Sequence, residues 1–399
     1  MFTLEWYSMS QELISLSPDL KKLRDEGLQV EVRNGLLIVH NVPYVNSECK
    51  IKYGTLVSTL DLAGNKTVKP KNHVISFIGE YPCNKDGSPI KQIQHQSQRK
   101  TLTEGIIVDH SFSNKPKPNG YQDYYDKITR YIAIISAPAK SMDKSVTEKT
   151  FNVVLTRDDE SVFKYFDTNA SRAEILNVTS KLEGQKIGII GLGGTGSYVL
   201  DFVAKTPVQE IHLFDGDQFL QHNAFRAPGA PSIERLEEKK KKVLYFQELY
   251  SPLRRNIFVH EDFIDEANIN DLSTMDFVFI CIDAGPVKAA IIKKLIECEI
   301  SFVDVGMGIH EVDGSLLGMI RTTTSTKDSR DHIERRISFA EGGKDEYSTN
   351  IQIAELNALN AALAVIQWKK VIGFYQDFGK EHNSIYTINT GQLLNEDAA

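Results

Sequence analysis

The chain has 399 residues, of which 41% are hydrophobic and 25% charged, and a formal net charge of −7. That length predicts two domains, and that charge excludes a broad nucleic-acid-binding surface. Four cysteines with no Cys-x-x-Cys pair, no apolar run of about 20 residues and no signal-peptide-like start predict a reducing, cytoplasmic setting without disulfides, structural zinc or a membrane span.

In chain order, 19–26 has helical spacing, and 29–45, 51–62 and 73–77 read as strands. Pro and Gly are frequent from 82 to 120. We expect an α+β domain over 1–170, with 167–183 as the connection. Two places in it carry chemistry. Cys83 lies in a loop after a strand, and Asp109, His110 and Ser111 cluster an acid, an imidazole and a hydroxyl.

The second half, 171–399, alternates short apolar runs with helical spacing. Strands are expected at 185–190, 208–214, 256–260, 277–282 and 301–305, and helices at 197–205, 233–250 and 287–298. Strands without polar alternation are covered on both faces, so the fold class is α/β: a Rossmann-like, doubly wound, mostly parallel sheet. A polar stretch over 322–348 follows, then a long Ala-rich helix at 351–372 whose apolar width suits burial.

Gly191-Leu-Gly-Gly-Thr-Gly196 joins a strand to a helix. Its glycines let the backbone approach phosphates, and the helix start offers free N–H groups. Taken alone, this loop fits NAD, FAD or another nucleotide equally. Asp215 ends the next strand, where a carboxylate can accept from ribose hydroxyls. Asp217, Asn223 and Arg226 follow in one turn-rich loop, and Asp283 ends a later apolar strand. A bare carboxylate beside a dinucleotide pyrophosphate repels it. Beside a triphosphate it makes sense as a holder of Mg²⁺, with Arg226 and a lysine neutralising the departing pyrophosphate.

With these residues in hand, 171–321 resembles the ThiF, MoeB and ubiquitin-activating-enzyme superfamily. The match runs through Gly191, Gly193, Gly194 and Gly196, then Asp215 and Asp217, Asn223, Arg226, a lysine of the 239–242 run, and Asp283. The resemblance implies ATP-dependent adenylation of a C-terminal carboxylate, with ATP and Mg²⁺ as the small-molecule partners; the absence of the paired Cys-x-x-Cys motifs seen in some relatives predicts no structural zinc. It gives Asp215 the ribose, Asn223 and Arg226 the phosphates, and Lys242 the second basic contact, with Lys239 as runner-up. Asp283 would position Mg²⁺ and the incoming carboxylate. It also implies a homodimer in which Arg172 reaches the partner's nucleotide, and a ubiquitin-like protein substrate with a separate conjugating enzyme as a further partner.

The sequence departs from that family in having no cysteine after Cys298. Cys83, in a domain expected to be conjugating-enzyme-like or partner-binding, is the candidate acyl acceptor. The stretch 322–348 stands where the family has a crossover loop, and its hydroxyls are further candidates. Two alternatives stay open: adenylation of a sulfur carrier for thiamin- or molybdopterin-type synthesis, and an NAD-dependent oxidoreductase.

Overall fold

The computed structural model describes residues 11, 13–156, 161–283, 285–339 and 351–397. The chain forms two compact units, 1–160 with 165–173 and 161–164 with 174–399.

In the first unit, helix α1 (Pro18–Asp25) precedes strands β1 (Val30–Arg33), β2 (Leu36–Val45), β3 (Ile51–Thr59), β4 (Val74–Ile78), β5 (Gln94–Gln96) and β6 (His110–Ser113). They form one sheet in the order β1-β2-β3-β4-β6-β5. The run expected at 29–45 as one strand is a hairpin, because Asn34 and Gly35 take left-handed backbone and turn the chain between β1 and β2. Helix α2 (Tyr124–Met142) follows; Asp123 caps its first turn by accepting from the Asp126 N–H. Its buried residues Tyr124, Ile128, Tyr131, Ile132 and Ile135 recur at helical spacing and complete a core with Leu37, Val39, Leu56, Ile75, Phe77 and Phe112.

The second unit is built on an eight-stranded sheet. Its strands are β7 (Lys186–Ile190), β8 (Glu210–Phe214), β9 (Ile257–His260), β10 (Phe277–Ile280), β11 (Ser301–Val312), β12 (Ser315–Ser325), β13 (Asn383–Thr387) and β14 (Gln392–Glu396). The order is β9-β8-β7-β10-β11-β12-β13-β14. The first five run parallel, and the last three add antiparallel. Helices α3 (Gly194–Ala204), α4 (Lys242–Tyr250), α5 (Pro286–Glu297) and α6 (Ala354–Val371) complete the framework. Two apolar cores result, one holding Val199, Phe246, Phe279 and Trp368, the other Ile190, Val278, Ile291 and Phe302.

Three expectations change here. The helix expected at 233–250 is two helices, Ile233–Glu237 and α4. Lys239 between them has φ +47°, and the neighbouring backbone is drawn into pairing with Gln218 and Phe219. The strand expected to end at 305 runs on to Val312 and returns as β12, so Thr322–Ser325 belong to a strand rather than a loop. Their side chains are buried and do not offer acyl-accepting hydroxyls to solvent. The rest of the expected 322–348 loop includes a short helix, Ile333–Arg336, while 340–348 lie outside the described residues. Helix α6 is buried within its own unit, where Ala361, Ala364 and Trp368 join the core.

Candidate nucleotide site

The parallel strands β7, β8 and β10 end side by side, and the turns beyond them meet at one place. Between β7 and α3, Gly191 has φ +87°, a conformation that a residue with a Cβ adopts only under strain. A Cβ at Gly196 would stand 1.8 Å from the Gly191 carbonyl oxygen, and one at Gly194 would stand 2.0 Å from Asn357 Nδ2. These glycines are required by the protein's own close packing. Gly193 is different, since nothing lies within 4 Å of where its Cβ would be. It opens helix α3 toward free space, where the helix N–H groups and dipole can meet an anion.

Asp215 braces this loop. Its Oδ2 accepts from the Leu192 N–H at 2.7 Å, and its Oδ1 accepts from the Asp217 N–H at 2.8 Å. Oδ2 also receives the Lys242 ammonium, so Oδ1 is the oxygen that retains a second acceptor direction, which suits a ribose hydroxyl. Of the basic run, Lys242 is the buried member. Its ammonium donates to Asp217 at 2.7 Å and lies 3.4 Å from Asp215. Lys239 is exposed. Lys240 pairs with Glu238 and Glu248, and Lys241 donates to the Gly216 carbonyl.

Asn223 is buried in the short helix Gln221–Ala224, where its Oδ1 accepts from the Leu220 N–H and closes the turn. Arg226 follows. Burial lowers its guanidinium below the ordinary value, and the charges of Asp283 and Asp217 oppose that shift. Its Nε is buried without a hydrogen-bond partner among the described residues. Asp283 is exposed at the end of β10. The loop glycines, Asp215, Asp217, Lys242, Arg226 and Asp283 thus gather around the carboxyl ends of the central strands, the place where open α/β sheets bind ligands.

A cavity of about 240 Å³ opens here, with Gly193, Gly194, Thr195 and Asp283 on one side. Its remaining lining includes residues the sequence reading did not single out: Lys288, Arg321, Gln352, Asn357 and Asn360. Asn357 ties α6 to the loop by accepting from the Thr195 hydroxyl and donating to the Arg226 carbonyl. Beneath lies the fully buried Asp304, which pairs with Lys288 at 2.7 Å and Arg321 at 2.6 Å. An acid within the apolar run of 301–305, and an arginine among Met319 and Ile320, were the available signals.

The acceptor candidates Cys83 and Asp109–Ser111 belong to the first unit. Cys83 is 1% exposed, and its thiol donates to the Tyr81 carbonyl at 3.2 Å. Burial raises the thiol above its ordinary value, and Cys49, Asp86 and Glu80 add to the rise. That environment opposes a thiolate nucleophile, which corrects the expectation of an accessible loop cysteine. Its backbone is paired with Val45 and Pro89, which draws it into the fold. Asp109, His110 and Ser111 do not form a relay. His110 faces Ser97 at 3.1 Å, and Ser111 faces His95 at 2.9 Å. Arg172 ends the short helix Thr168–Arg172 in the first unit and lines a pocket there with Arg24 and Phe166. Burial pushes the Cys281 thiol up strongly. Among the described residues no cluster of three metal-ligating side chains occurs, and no helix is long and apolar enough to cross a membrane.

Comparison with known proteins follows these two units. Residues 18–168 match a domain of unknown function (DUF6791), and residues 168–396 match the ThiF family model. No curated protein sequence matches the chain. Among solved structures, it is similar to PaaA at 16% identity and TM-score 0.45, over 56% of this chain and 76% of that one. It is also similar to Escherichia coli MccB solved with ATP, at 16% identity and TM-score 0.45, over 58% and 71% of the two chains. A further similar structure is the microcin C7 biosynthetic enzyme MccB in complex with N-formylated MccA, at 16% identity and TM-score 0.42, over 57% and 69%. The ThiF model spans more than half of the sequence and contains every residue gathered around the cavity, so the chain belongs to the ThiF family and is a ThiF-type adenylyltransferase.

Proposed function

We propose that this adenylyltransferase activates the C-terminal carboxylate of a ubiquitin-like protein, as the first step of a conjugation pathway. The observation that carries the reading is the cavity where Asp283 meets the open phosphate loop, within reach of the Arg226 charge, and which leads onto a sheet face. That face is formed by Gly306, Gly308 and Met319 of β11 and β12, with Met319 exposed. Such a surface suits an extended protein tail better than a compact metabolite.

In the reaction, a carboxylate oxygen attacks the α-phosphorus of ATP. The bond from that phosphorus to the pyrophosphate oxygen breaks, giving an acyl-adenylate and pyrophosphate. The nucleophile is already ionised, so the protein's work is to position and to stabilise charge. Gly193 and the start of α3 receive phosphate oxygens, and Asp215 receives the ribose. Arg226 stabilises charge on the departing pyrophosphate, with the Asn223 amide beside it. Lys242 keeps Asp215 and Asp217 in place and adds positive charge. Mg²⁺ would be carried by the nucleotide and held at Asp283, and would supply charge neutralisation. An exposed carboxylate at the cavity, outside any cluster of three metal-ligating side chains among the described residues, fits that use better than an all-protein metal site. Homodimerisation, with Arg172 serving the partner's nucleotide, belongs to the same proposal and is checked by sedimentation.

The test is ATP–pyrophosphate exchange with a ubiquitin-like protein encoded beside this chain. We expect exchange that requires that protein and disappears in Asp283→Ala and Arg226→Ala. Tight ATP binding with no exchange for any such protein would refute the substrate assignment.

A further inference from the structure

The floor of the cavity holds charge that the adenylation roles above leave unused. Asp304 is 0% exposed and is flanked by Lys288 of α5 and Arg321 of β12. Two cations therefore surround one carboxylate, leaving a positive excess inside the protein. Asp283 lines the same cavity, and its charge acts on Arg226. A positive excess below the surface is costly unless an anion completes it.

The geometry fixes how that anion would meet Arg321. One edge of the guanidinium is engaged, with Nη2 donating to Asp304 Oδ2 at 2.6 Å and Nη1 donating to the Thr323 hydroxyl. Arg321 is partly exposed and lines the cavity. Its cross-strand neighbour is Gly306, where a Cβ would stand only 3.0 Å from Nη2. Glycine there leaves the guanidinium room to lie against the strand. Nearby, Gln352 Oε1 is buried without a hydrogen-bond partner among the described residues.

The anion has two sources, a phosphate of ATP or the carboxylate of the protein substrate. Position favours the carboxylate. The phosphates have their own receivers at Gly193 and Arg226. Arg321 lies on β12, from which the same sheet face continues through the pairs Gly308–Met319 and His310–Leu317. Met319 and Leu317 are exposed there, as is Leu394 in the row of Arg321 and Ile385. A tail lying along this face delivers its terminus to Arg321.

We propose that Arg321, oriented by Asp304 and supported by Lys288, is the carboxylate anchor of the substrate. It is a binding and positioning residue that selects a free C-terminal carboxylate over a capped or extended one. The proposal rests on the adenylation of a protein carboxylate described above.

Calorimetry with a non-hydrolysable ATP analogue tests it. The probe is the ubiquitin-like protein encoded beside this chain, prepared as the free acid and as the C-terminal amide. The wild type is expected to prefer the acid by roughly 10- to 100-fold, the range for a charge-assisted contact. Arg321→Met is expected to erase that preference, leaving affinity for the ATP analogue within about threefold, and Arg321→Lys to restore part of it. Thermal unfolding checks that both variants fold, and in exchange assays the loss should fall on the KM for the protein rather than for ATP. Acid and amide binding equally to the wild type, or an acid preference that survives Arg321→Met, overturns the anchor while leaving adenylation intact. Absence of both binding and exchange with either form instead defeats the substrate reading, and the anchor with it.

Discussion

Lys127 offers a test of the first unit that is independent of catalysis. It sits on α2 with its side chain 0% exposed, its ammonium donating to the Ser58 hydroxyl at 2.9 Å and the Asn72 carbonyl at 2.7 Å. Burial lowers it from 10.5 to about 8, against a smaller opposing effect of Asp61. The folded state therefore holds this proton less tightly than the unfolded chain. Stability from this group is fully present above pH 10.5 and is lost as pH falls through about 8. A shift of that size amounts to about 3 kcal/mol of penalty at pH 7, about 2 at pH 9 and under about 0.5 at pH 10.5. Lys127→Met removes the penalty but leaves two acceptors without this donor, a loss of about 1 kcal/mol each. The variant should be more stable than wild type by about 1 kcal/mol at pH 7, equal near pH 9, and less stable by about 1–2 kcal/mol at pH 10.5. Urea unfolding of both proteins at the three pH values measures this, because other titrating groups cancel in the difference. A difference of constant sign and size across the range would refute the reasoning.

The phosphate loop separates two kinds of glycine. Gly193→Ala should leave the unfolding temperature unchanged and raise the KM for ATP roughly tenfold or more, whereas Gly196→Ala should lower the unfolding temperature through its clash with the Gly191 carbonyl; calorimetry and exchange kinetics distinguish them. Lys242→Met should cost about 1–3 kcal/mol of stability, since Asp215 keeps its two backbone donors but loses its cation, and ATP affinity measured by titration should fall with it.

The nucleotide-binding half was legible because its strands are unbroken apolar runs and its glycine loop has one physical use. Lys242 could be chosen from a run of four lysines through the family resemblance, by the Val243 that follows it; the helix start that places it was hidden inside the single helix expected at 233–250. The hairpin of β11 and β12 was not legible. After Val305 the glycines and His310 break the apolar run, and the strand persists because β12 pairs with it along its whole length. Reading 322–348 as a loop therefore concealed the fact that Arg321 stands in a strand above a buried acid. Cys83 misled for a related reason: its Tyr-Pro-Cys context reads as a loop, but backbone pairing with Val45 and Pro89 holds it inside. The sequence reading also passed over α2, whose apolar face is built largely of tyrosines and isoleucines and whose last turns contain Pro138.

The link between Asn357 and the phosphate loop sets an order of events in synthesis. The loop at 191–196 leaves the ribosome early, yet the side chain that meets Gly194, Thr195 and the Arg226 carbonyl belongs to a helix made more than 150 residues later. A nascent chain carries a glycine loop that lacks its far wall until that helix docks. Nucleotide chemistry is thereby expected to be withheld from incomplete chains, and a truncation that removes α6 is expected to silence the site while leaving the glycine loop, Asp215, Arg226 and Asp283 in the chain.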